Sequence, residues 1–317
     1  MVMKLTILGS GGPFPGPSLK RMSSGYVIKM NSEVMVFDHG PGAYHRLLET
    51  GLTASRVSRV VFSHLHYDHC ADFVRLLLNR WHWGGRKTRP LKVYGPPGTI
   101  HFVDRLFGPD GAFKADLTAR IANPEALDPG LAWPRVEVEE LHEDDTVEDS
   151  EWRLTLATVP HLQPHLTCYG YRLENERAVF AYSGDCAPCL NMQRLAVDAD
   201  VLVHVVGLVS GGKLVSEGVF APHRSASDAD PSRMSRRGVA ERQMARAREV
   251  AELARDAGVG TLVATHAGAT IDRPGIRERL VGEMKAIFPG RLVWAEDLMV
   301  IEVEGKNPKR RQRPRTR

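Results

Sequence analysis

One short run of the chain carries the residue types that bind metal ions. His64-Leu65-His66-Tyr67-Asp68-His69 places three imidazoles and one carboxylate within six residues, directly after an apolar segment. If residues 60–63 form a buried strand, the first two histidines project to the same side of the extended backbone and can bind one ion together. The aspartate and the third histidine follow after a turn and can face a second position. Nitrogen and carboxylate donors of this mix suit zinc, with iron or manganese as alternatives.

Three further predicted strands are each followed by a metal-ligand residue type. Residues 154–159 alternate and precede His161, the apolar run 178–182 precedes Asp185, and the apolar run 261–265 precedes His266. A solvated histidine-rich loop would explain the first run alone. It would not explain why four predicted strand ends carry the same kind of residue, so we expect these ends to converge on a metal site.

These motifs together resemble the five-motif pattern of the metallo-β-lactamase superfamily: HLHYDH, an isolated His, SGDC and ATH. The resemblance is closest to the branch that contains ribonuclease Z and arylsulfatase-like or phosphodiesterase-like hydrolases. It includes residues 5–12, 36–42 and 169–174 and covers the chain from about residue 4 to 303. It implies an α/β fold, an αββα four-layer sandwich of two mixed β-sheets flanked by helices. We expect a single metallo-hydrolase domain over residues 1–305.

The resemblance also implies a ligand set for two divalent metal ions, Zn²⁺ before iron or manganese. One ion would be held by His64, His66 and His161, the other by Asp68, His69 and His266, with Asp185 bridging both. The third-motif histidine is open at this point, because His161 and His165 both precede the segment 169–174. We favour His161 and place His165 beside the substrate.

The expected chemistry follows from the two ions. Metal coordination lowers the pKa of water to about 7, which supplies hydroxide at neutral pH. Such a centre predicts a hydrolase of a small-molecule ester, phosphodiester, lactone, sulfate ester or amide bond. Asp68 would orient the water or shuttle its proton, and Asp38 would support the ligands from outside. His223 is a candidate leaving-group acid or substrate contact, although a solvated loop histidine explains it equally well.

Three functions remain open. Ribonuclease Z carries a flexible arm for transfer RNA between its third-motif histidine and its bridging aspartate, whereas only 23 residues separate His161 from Asp185 here. The segment 204–207 also lacks the glutamate of the His-Glu-Ala-Thr element that the family resemblance would place there. A small-molecule substrate is therefore the first hypothesis. A ribonuclease Z-like nuclease is the second, and a non-catalytic metal-containing binding protein is the third.

The positive charge of the chain is concentrated at its end. Residues 306–317 contain seven Lys or Arg and no acid, so a net charge of +4 for the chain becomes −3 without them. Such a tail is expected to be disordered and would be able to touch nucleic acid, although a solvated tail without function is the more common case. The chain has no run of 18 apolar residues. We expect a cytoplasmic protein that does not contact membranes and forms a homo-oligomer, a dimer.

Cys186 and Cys189 form a CxxC motif directly after Asp185. A zinc ribbon needs a second pair with this spacing, which Cys70 and Cys168 do not provide. The preferred interpretation is that small residues pack here at the start of a helix near the metal site.

The remaining pattern predicts core elements and two irregular segments. Helices are predicted around residues 44–48 and over residues 73–81, 242–257 and 276–287, and closing strands over 291–295 and 298–303. Residues 106–132 and 207–238 are rich in Gly, with Pro and Asp in the first and Ser in the second. We expect both to be irregular and to shape the substrate pocket.

Overall fold

The computed structural model describes residues 3–13, 20–123, 131–207, 245–268 and 275–305. These residues form two compact units. The first contains residues 3–145 and 296–303 as far as they are described, and the second contains residues 146–295 and 304–305 with the same restriction. Each unit has its own mixed seven-stranded β-sheet and its own helices.

The first unit is built on a sheet that is antiparallel at one side and parallel at the other. Its strands are β1 (Met3–Gly9), β2 (Gly25–Met30), β3 (Glu33–His39), β4 (Arg59–Val61), β5 (Leu91–Gly95), β6 (Val136–Glu140) and β14 (Val300–Val303). They lie in the order β14-β1-β2-β3-β4-β5-β6. Pairing is antiparallel from β14 to β3 and parallel from β3 to β6.

Five helices connect these strands: α1 (Ala43–Glu49), α2 (Tyr67–Cys70), α3 (Phe73–Gly84), α4 (Thr99–Phe107) and α5 (Lys114–Ala122). The apolar residues of α3 recur every three to four positions, and this stripe is buried in the core of the unit. The Phe73 ring meets the Phe62 ring edge to face, with centroids 5.3 Å apart. Residues 62–69, which carry the metal-ligand types, are thereby fixed between β4 and α3.

The second unit repeats this plan with a different strand order. Its strands are β7 (Thr146–Glu148), β8 (Arg153–Thr158), β9 (Tyr169–Glu174), β10 (Val179–Tyr182), β11 (Val201–Val205), β12 (Thr261–Thr265) and β13 (Arg291–Trp294). They lie in the order β13-β12-β11-β10-β9-β8-β7, parallel from β10 to β13 and antiparallel from β7 to β10. The helices are α6 (Leu190–Ala196), α7 (Ala247–Asp256) and α8 (Ile276–Lys285).

The strand directions decide where the second unit presents its polar residues. β8, β10 and β12 run in the same direction, so their carboxyl ends lie at one edge of the sheet. β10 and β12 are buried along their whole length, which explains their continuous apolar sequences. The residues after these ends include His161, Asp185 and His266.

The predicted elements are largely confirmed, with shifted boundaries. The strand expected over 60–63 is β4 and ends at Val61, and the strand expected over 298–303 begins at Val300. The helix predicted from residue 242 begins at Ala247, and residues 242–244 lie outside the described residues. The prediction of two mixed sheets flanked by helices is confirmed. The single domain over residues 1–305 stays a prediction, and the tail 306–317 lies outside the described residues.

The prediction that residues 106–132 are irregular is wrong in part. α4 extends to Phe107, and residues 114–122 form α5. Lys, Ala, Leu and Arg in this stretch favour a helix, and Leu117 is fully buried in the core of the unit. The flanking Gly, Pro and Asp residues obscured this local signal. The other expected irregular segment, residues 207–238, lies outside the described residues from 208 onward.

No helix among the described residues is both long and apolar enough to cross a membrane.

Asp297, in the turn before β14, connects this turn to the rest of the first unit through hydrogen bonds. Its Oδ1 accepts hydrogen bonds from the backbone N and the Oγ of Ser10, at 3.0 and 2.8 Å. Its Oδ2 accepts from Met22 N at 2.8 Å and from Arg46 Nε at 3.1 Å. The carboxylate is nearly inaccessible to solvent, so its removal leaves the backbone N–H groups of Ser10 and Met22 without this acceptor, and Arg46 keeps only its pairing with Glu49.

We expect Asp297→Ala to lower the free energy of unfolding by about 3 kcal/mol, the scale for breaking a buried charge pair. Urea denaturation followed by circular dichroism measures the change. Asp110→Ala is the matched control, because Asp110 is exposed and contacts Lys114 at the surface. An Asp297→Ala midpoint equal to that of the control would contradict this role.

Candidate metal centre

The first unit brings the residues of the HLHYDH run together. The chain leaves β4 at Val61, and α2 starts directly after His66. His64 Nε2 and His66 Nδ1 lie 3.0 Å apart. Asp68 and His69 lie on the single turn of α2, where His69 Nε2 is 3.5 Å from Asp68 Oδ2. The run therefore forms two close pairs within this unit, His64 with His66 and Asp68 with His69.

Asp38 at the end of β3 orients two of these histidines. Asp38 Oδ1 accepts a hydrogen bond from Ser63 N, and Oδ2 accepts from Ser63 Oγ, both at 2.7 Å. His69 Nδ1 donates to Asp38 Oδ2 at 2.7 Å, which leaves Nε2 as the basic nitrogen of that ring. Because the Ser63 hydroxyl donates to Asp38, its oxygen accepts from His64 Nδ1, at 2.9 Å. Asp38 therefore fixes one tautomer directly and the other through Ser63.

The backbone around Asp38 has two unusual features, a positive φ at Asp38 and a close approach at Gly40. Asp38 has a φ of 51°, which is uncommon for a residue with a side chain and is frequent at functional sites. Gly40 follows closely against α2, and a Cβ atom at this position would lie 1.8 Å from the Asp68 carbonyl oxygen. Glycine is therefore required at residue 40 to let the end of β3 pack against the segment with Asp68.

The second unit places Asp185 between two histidines. His266 Nε2 lies 3.3 Å from Asp185 Oδ1, and His161 Nε2 lies 3.7 Å from Asp185 Oδ2. Each carboxylate oxygen thus faces a different imidazole, which is the arrangement that a bridging carboxylate needs. His266 follows β12 with a φ of 63°, so this residue also has a strained backbone. All three side chains are at most 5% exposed.

The donor spacings fit transition-metal ligands. Zinc binds nitrogen and oxygen at about 2.0–2.1 Å, so two donors of a tetrahedral site lie about 3.3 Å apart. The four separations within the two units, from 3.0 to 3.7 Å, scatter around this value. Imidazole and carboxylate donors with buried outer partners suit zinc, iron or manganese. The residues present therefore fit divalent metal ions.

The other candidate residues are placed differently. His165 is exposed and its backbone N bonds to Leu162 O, whereas His161 is the histidine that faces Asp185. His223 lies outside the described residues. His204 is fully buried at the end of β11, where Nδ1 donates to Val205 O at 2.8 Å and burial lowers its pKa to about 4. The sequence pattern assigned no role to Ser63, and the only signal was its position directly before the candidate ligand His64.

A family model described as the Beta-lactamase superfamily domain matches residues 35–267. The chain belongs to the β-lactamase superfamily. Its sequence is 30% identical over 303 residues to a ribonuclease Z from Mycobacterium bovis, which covers 95% of this chain and 99% of that protein.

Two solved structures show the same fold. The metallo-β-lactamase fold protein YhfI from Bacillus subtilis gives a TM-score of 0.66 at 20% identity and covers 95% of this chain and 100% of its own. The short form of human tRNase Z gives 0.63 at 19% identity and covers 95% and 99%. The fold and the metal-ligand motifs make this member of the superfamily a metal-dependent hydrolase.

The role of Asp38 predicts an effect on metal affinity. We expect Asp38→Ala to weaken zinc binding by about 10- to 100-fold, because His64 and His69 lose the groups that orient them. Ser63→Ala, which removes only the link to His64, should have a smaller effect. Competition with a zinc chelator measures both affinities. Equal zinc affinities for Asp38→Ala and the wild-type protein would show that Asp38 does not orient the ligands.

Proposed function

We propose that this hydrolase is a dinuclear phosphodiesterase with zinc as the preferred metal. In this proposal His64, His66 and His161 would hold one ion, Asp68, His69 and His266 would hold the other, and Asp185 would bridge both. The observation that carries it is the Asp185 carboxylate, whose two oxygens face two different histidine nitrogens. The phosphodiester bond is favoured over the other ester and amide bonds because the relative from Mycobacterium bovis is named a ribonuclease.

Each residue then has a defined task. Divalent ions held by these residues would supply Lewis acidity and would lower the pKa of water to about 7. Asp68 orients the attacking water and accepts its proton on a carboxylate oxygen, while Asp38 keeps His69 and His64 in the required tautomers. His64, His161 and His266 keep their positions because the strands that precede them, β4, β8 and β12, are fixed in their sheets. His165, which is exposed, is left for substrate contact, and His223 remains a candidate acid for the leaving group.

A small phosphodiester is the preferred substrate. Between His161 and Asp185 the structure describes every residue, and β9 and β10 with their turn take up most of this stretch. No protruding arm for transfer RNA lies in it. The second candidate function is an RNA nuclease, which the names ribonuclease Z and tRNase Z of two similar proteins favour. In that case the basic residues 306–317 would replace the arm in binding RNA. A dimeric state and a cytoplasmic location stay predictions.

Assays with a small phosphodiester and an RNA hairpin, on the full chain and on a variant that lacks residues 306–317, distinguish the phosphodiesterase from the nuclease. Turnover of bis(p-nitrophenyl) phosphate that is unchanged after deletion of residues 306–317, with no cleavage of an RNA hairpin, is the result expected for a small phosphodiester. RNA cleavage that falls steeply with salt and is lost in the deletion would establish the nuclease instead. Hydrolysis of a lactone or carboxylic ester, with neither phosphodiester cleaved, would overturn the proposal.

A further inference from the structure

Two cysteines lie beside the candidate ligand Asp185 without taking part in the proposed site. Cys186 follows Asp185 directly and is fully buried. Cys189 is half-buried and forms the residue before α6. Their Sγ atoms lie 4.0 Å apart, and both are free thiols.

The geometry brings this pair within reach of a disulfide. A disulfide needs an S–S distance of about 2.05 Å, so the two sulfur atoms have to approach by about 2 Å. Residues 183–189 contain no helix or strand, and Cys189 has an extended backbone with φ −154° and ψ 159°. Rotation of the two side chains with a small backbone adjustment is therefore enough to close the bond.

The two thiols differ in reactivity in a way that suits a reaction between them. The contact with the Cys186 sulfur lowers the pKa of Cys189 to about 7 against the opposing effect of burial, and the backbone N–H groups of Met192 and Asn191 add smaller contributions. Cys189 is also the more accessible of the two. Cys189 is thus the thiol that an oxidant reaches first, and Cys186 is the thiol that then forms the disulfide with it.

We propose that Cys186 and Cys189 are a modification site that a hydroperoxide converts into a reversible disulfide. The Cys189 thiolate attacks one peroxide oxygen, the O–O bond breaks, and Cys189 becomes a sulfenic acid while the other oxygen leaves as water or an alcohol after taking up a proton. The Cys186 sulfur then attacks the sulfenic sulfur, and the hydroxyl group leaves as water with the Cys186 proton. The two thiols together lose two electrons, and the peroxide gains them.

Closure of this bond acts on the neighbouring ligands through the backbone. Cys186 shares a peptide bond with Asp185, and Ala187 N donates to Pro160 O at 2.9 Å, one residue before His161. A shift of Cys186 and Ala187 therefore moves the segments that carry Asp185 and His161, two of the three candidate ligands in the second unit. This consequence, unlike the disulfide itself, rests on the proposed function, in which Asp185 and His161 hold metal. The oxidised protein should bind zinc at least about tenfold more weakly, as for a loss of ligand orientation.

The test uses the reduced full-length protein treated with hydrogen peroxide. The wild-type protein should lose two of its four thiols in maleimide labelling under denaturing conditions and become about 2 Da lighter, and dithiothreitol should reverse both changes. Peptide mapping without reduction should place the bond between Cys186 and Cys189. Cys189→Ser should retain its three remaining thiols after mild treatment. Cys186→Ala should form a sulfenic acid at Cys189 but no disulfide. Cys168→Ser is the matched control, because it removes another buried thiol and should still form the bond.

Four retained thiols in the wild-type protein, or a disulfide that contains Cys168, would overturn the modification site. A Cys186–Cys189 disulfide with unchanged zinc affinity would overturn its coupling to the ligands and leave the site itself established. The thiol count and the peptide map depend on neither metal nor catalysis, so a failure of the proposed function leaves the test of the disulfide intact. The zinc affinity tests only the coupling.

Discussion

Asp185→Asn is expected to lower kcat/KM by about a thousandfold or more, which corresponds to about 4 kcal/mol of transition-state stabilisation. Asparagine keeps the size of the side chain but removes its charge and replaces one oxygen by an NH₂ group. The variant can no longer present one oxygen to His266 and one to His161 in the manner of a bridging carboxylate. We expect its metal content to fall to one ion per chain or fewer, measured by plasma mass spectrometry after purification without chelators.

The control for this variant is Asp256→Asn at the end of α7. Asp256 is exposed, and its carboxylate pairs only weakly with a neighbouring arginine at the surface. This variant should retain the metal content and activity of the wild-type protein. Full metal occupancy and activity in Asp185→Asn would show that residue 185 is not a ligand, whereas loss of the folded circular dichroism spectrum would point to a structural role instead.

His161→Ala should remove one metal ion and reduce activity by at least about a hundredfold, while His165→Ala should leave the metal content unchanged. The two histidines are only four residues apart, so the pair is a matched comparison. His161 faces Asp185 from a nearly buried position, and His165 is exposed. His165→Ala is still expected to raise KM if this residue touches the substrate.

The same pair of variants has a clear contrary outcome. If His165→Ala loses metal and His161→Ala retains it, the third-motif ligand is His165, and the loop between Val159 and Cys168 adopts another conformation in the metal-bound protein. Metal analysis distinguishes these cases directly, because each variant removes one imidazole and leaves the other.

The strand ends that carry the candidate ligand residues were predictable from the sequence because two independent patterns coincide there. Buried strands give short apolar runs, and a metal site requires His and Asp at positions where those runs stop. β10 and β12 show this most clearly, since every residue in both strands is buried. The choice between His161 and His165 was not predictable, because both follow the same strand and only the three-dimensional course of the loop separates them.

The supporting interactions were less predictable, because they join residues that are distant in sequence. Asp38 was expected to support the ligands, but its double contact with Ser63, 25 residues away, depends on the parallel pairing of β3 with β4. Asp297 meets Ser10 across 287 residues, and no local pattern marks it. Such contacts follow from sheet topology, which short sequence windows do not contain.

The prediction for the segment that contains α5 was wrong for another reason, because the composition of the whole segment was given more weight than its local helix pattern. Residues 106–132 were expected to be irregular because of their Gly, Pro and Asp content, yet nine of them form a helix anchored by Leu117. Averaging over the long window hid a short stretch of helix-forming residues.

Metal content of the purified wild-type protein tests the central proposal most directly. The proposed ligand set predicts about two zinc, iron or manganese ions per chain by plasma mass spectrometry, removable by a chelator together with hydrolysis of bis(p-nitrophenyl) phosphate and restored by adding metal. Protein that is folded, prepared without chelators and free of stoichiometric metal, and that neither binds added zinc nor gains activity from it, would contradict the proposal.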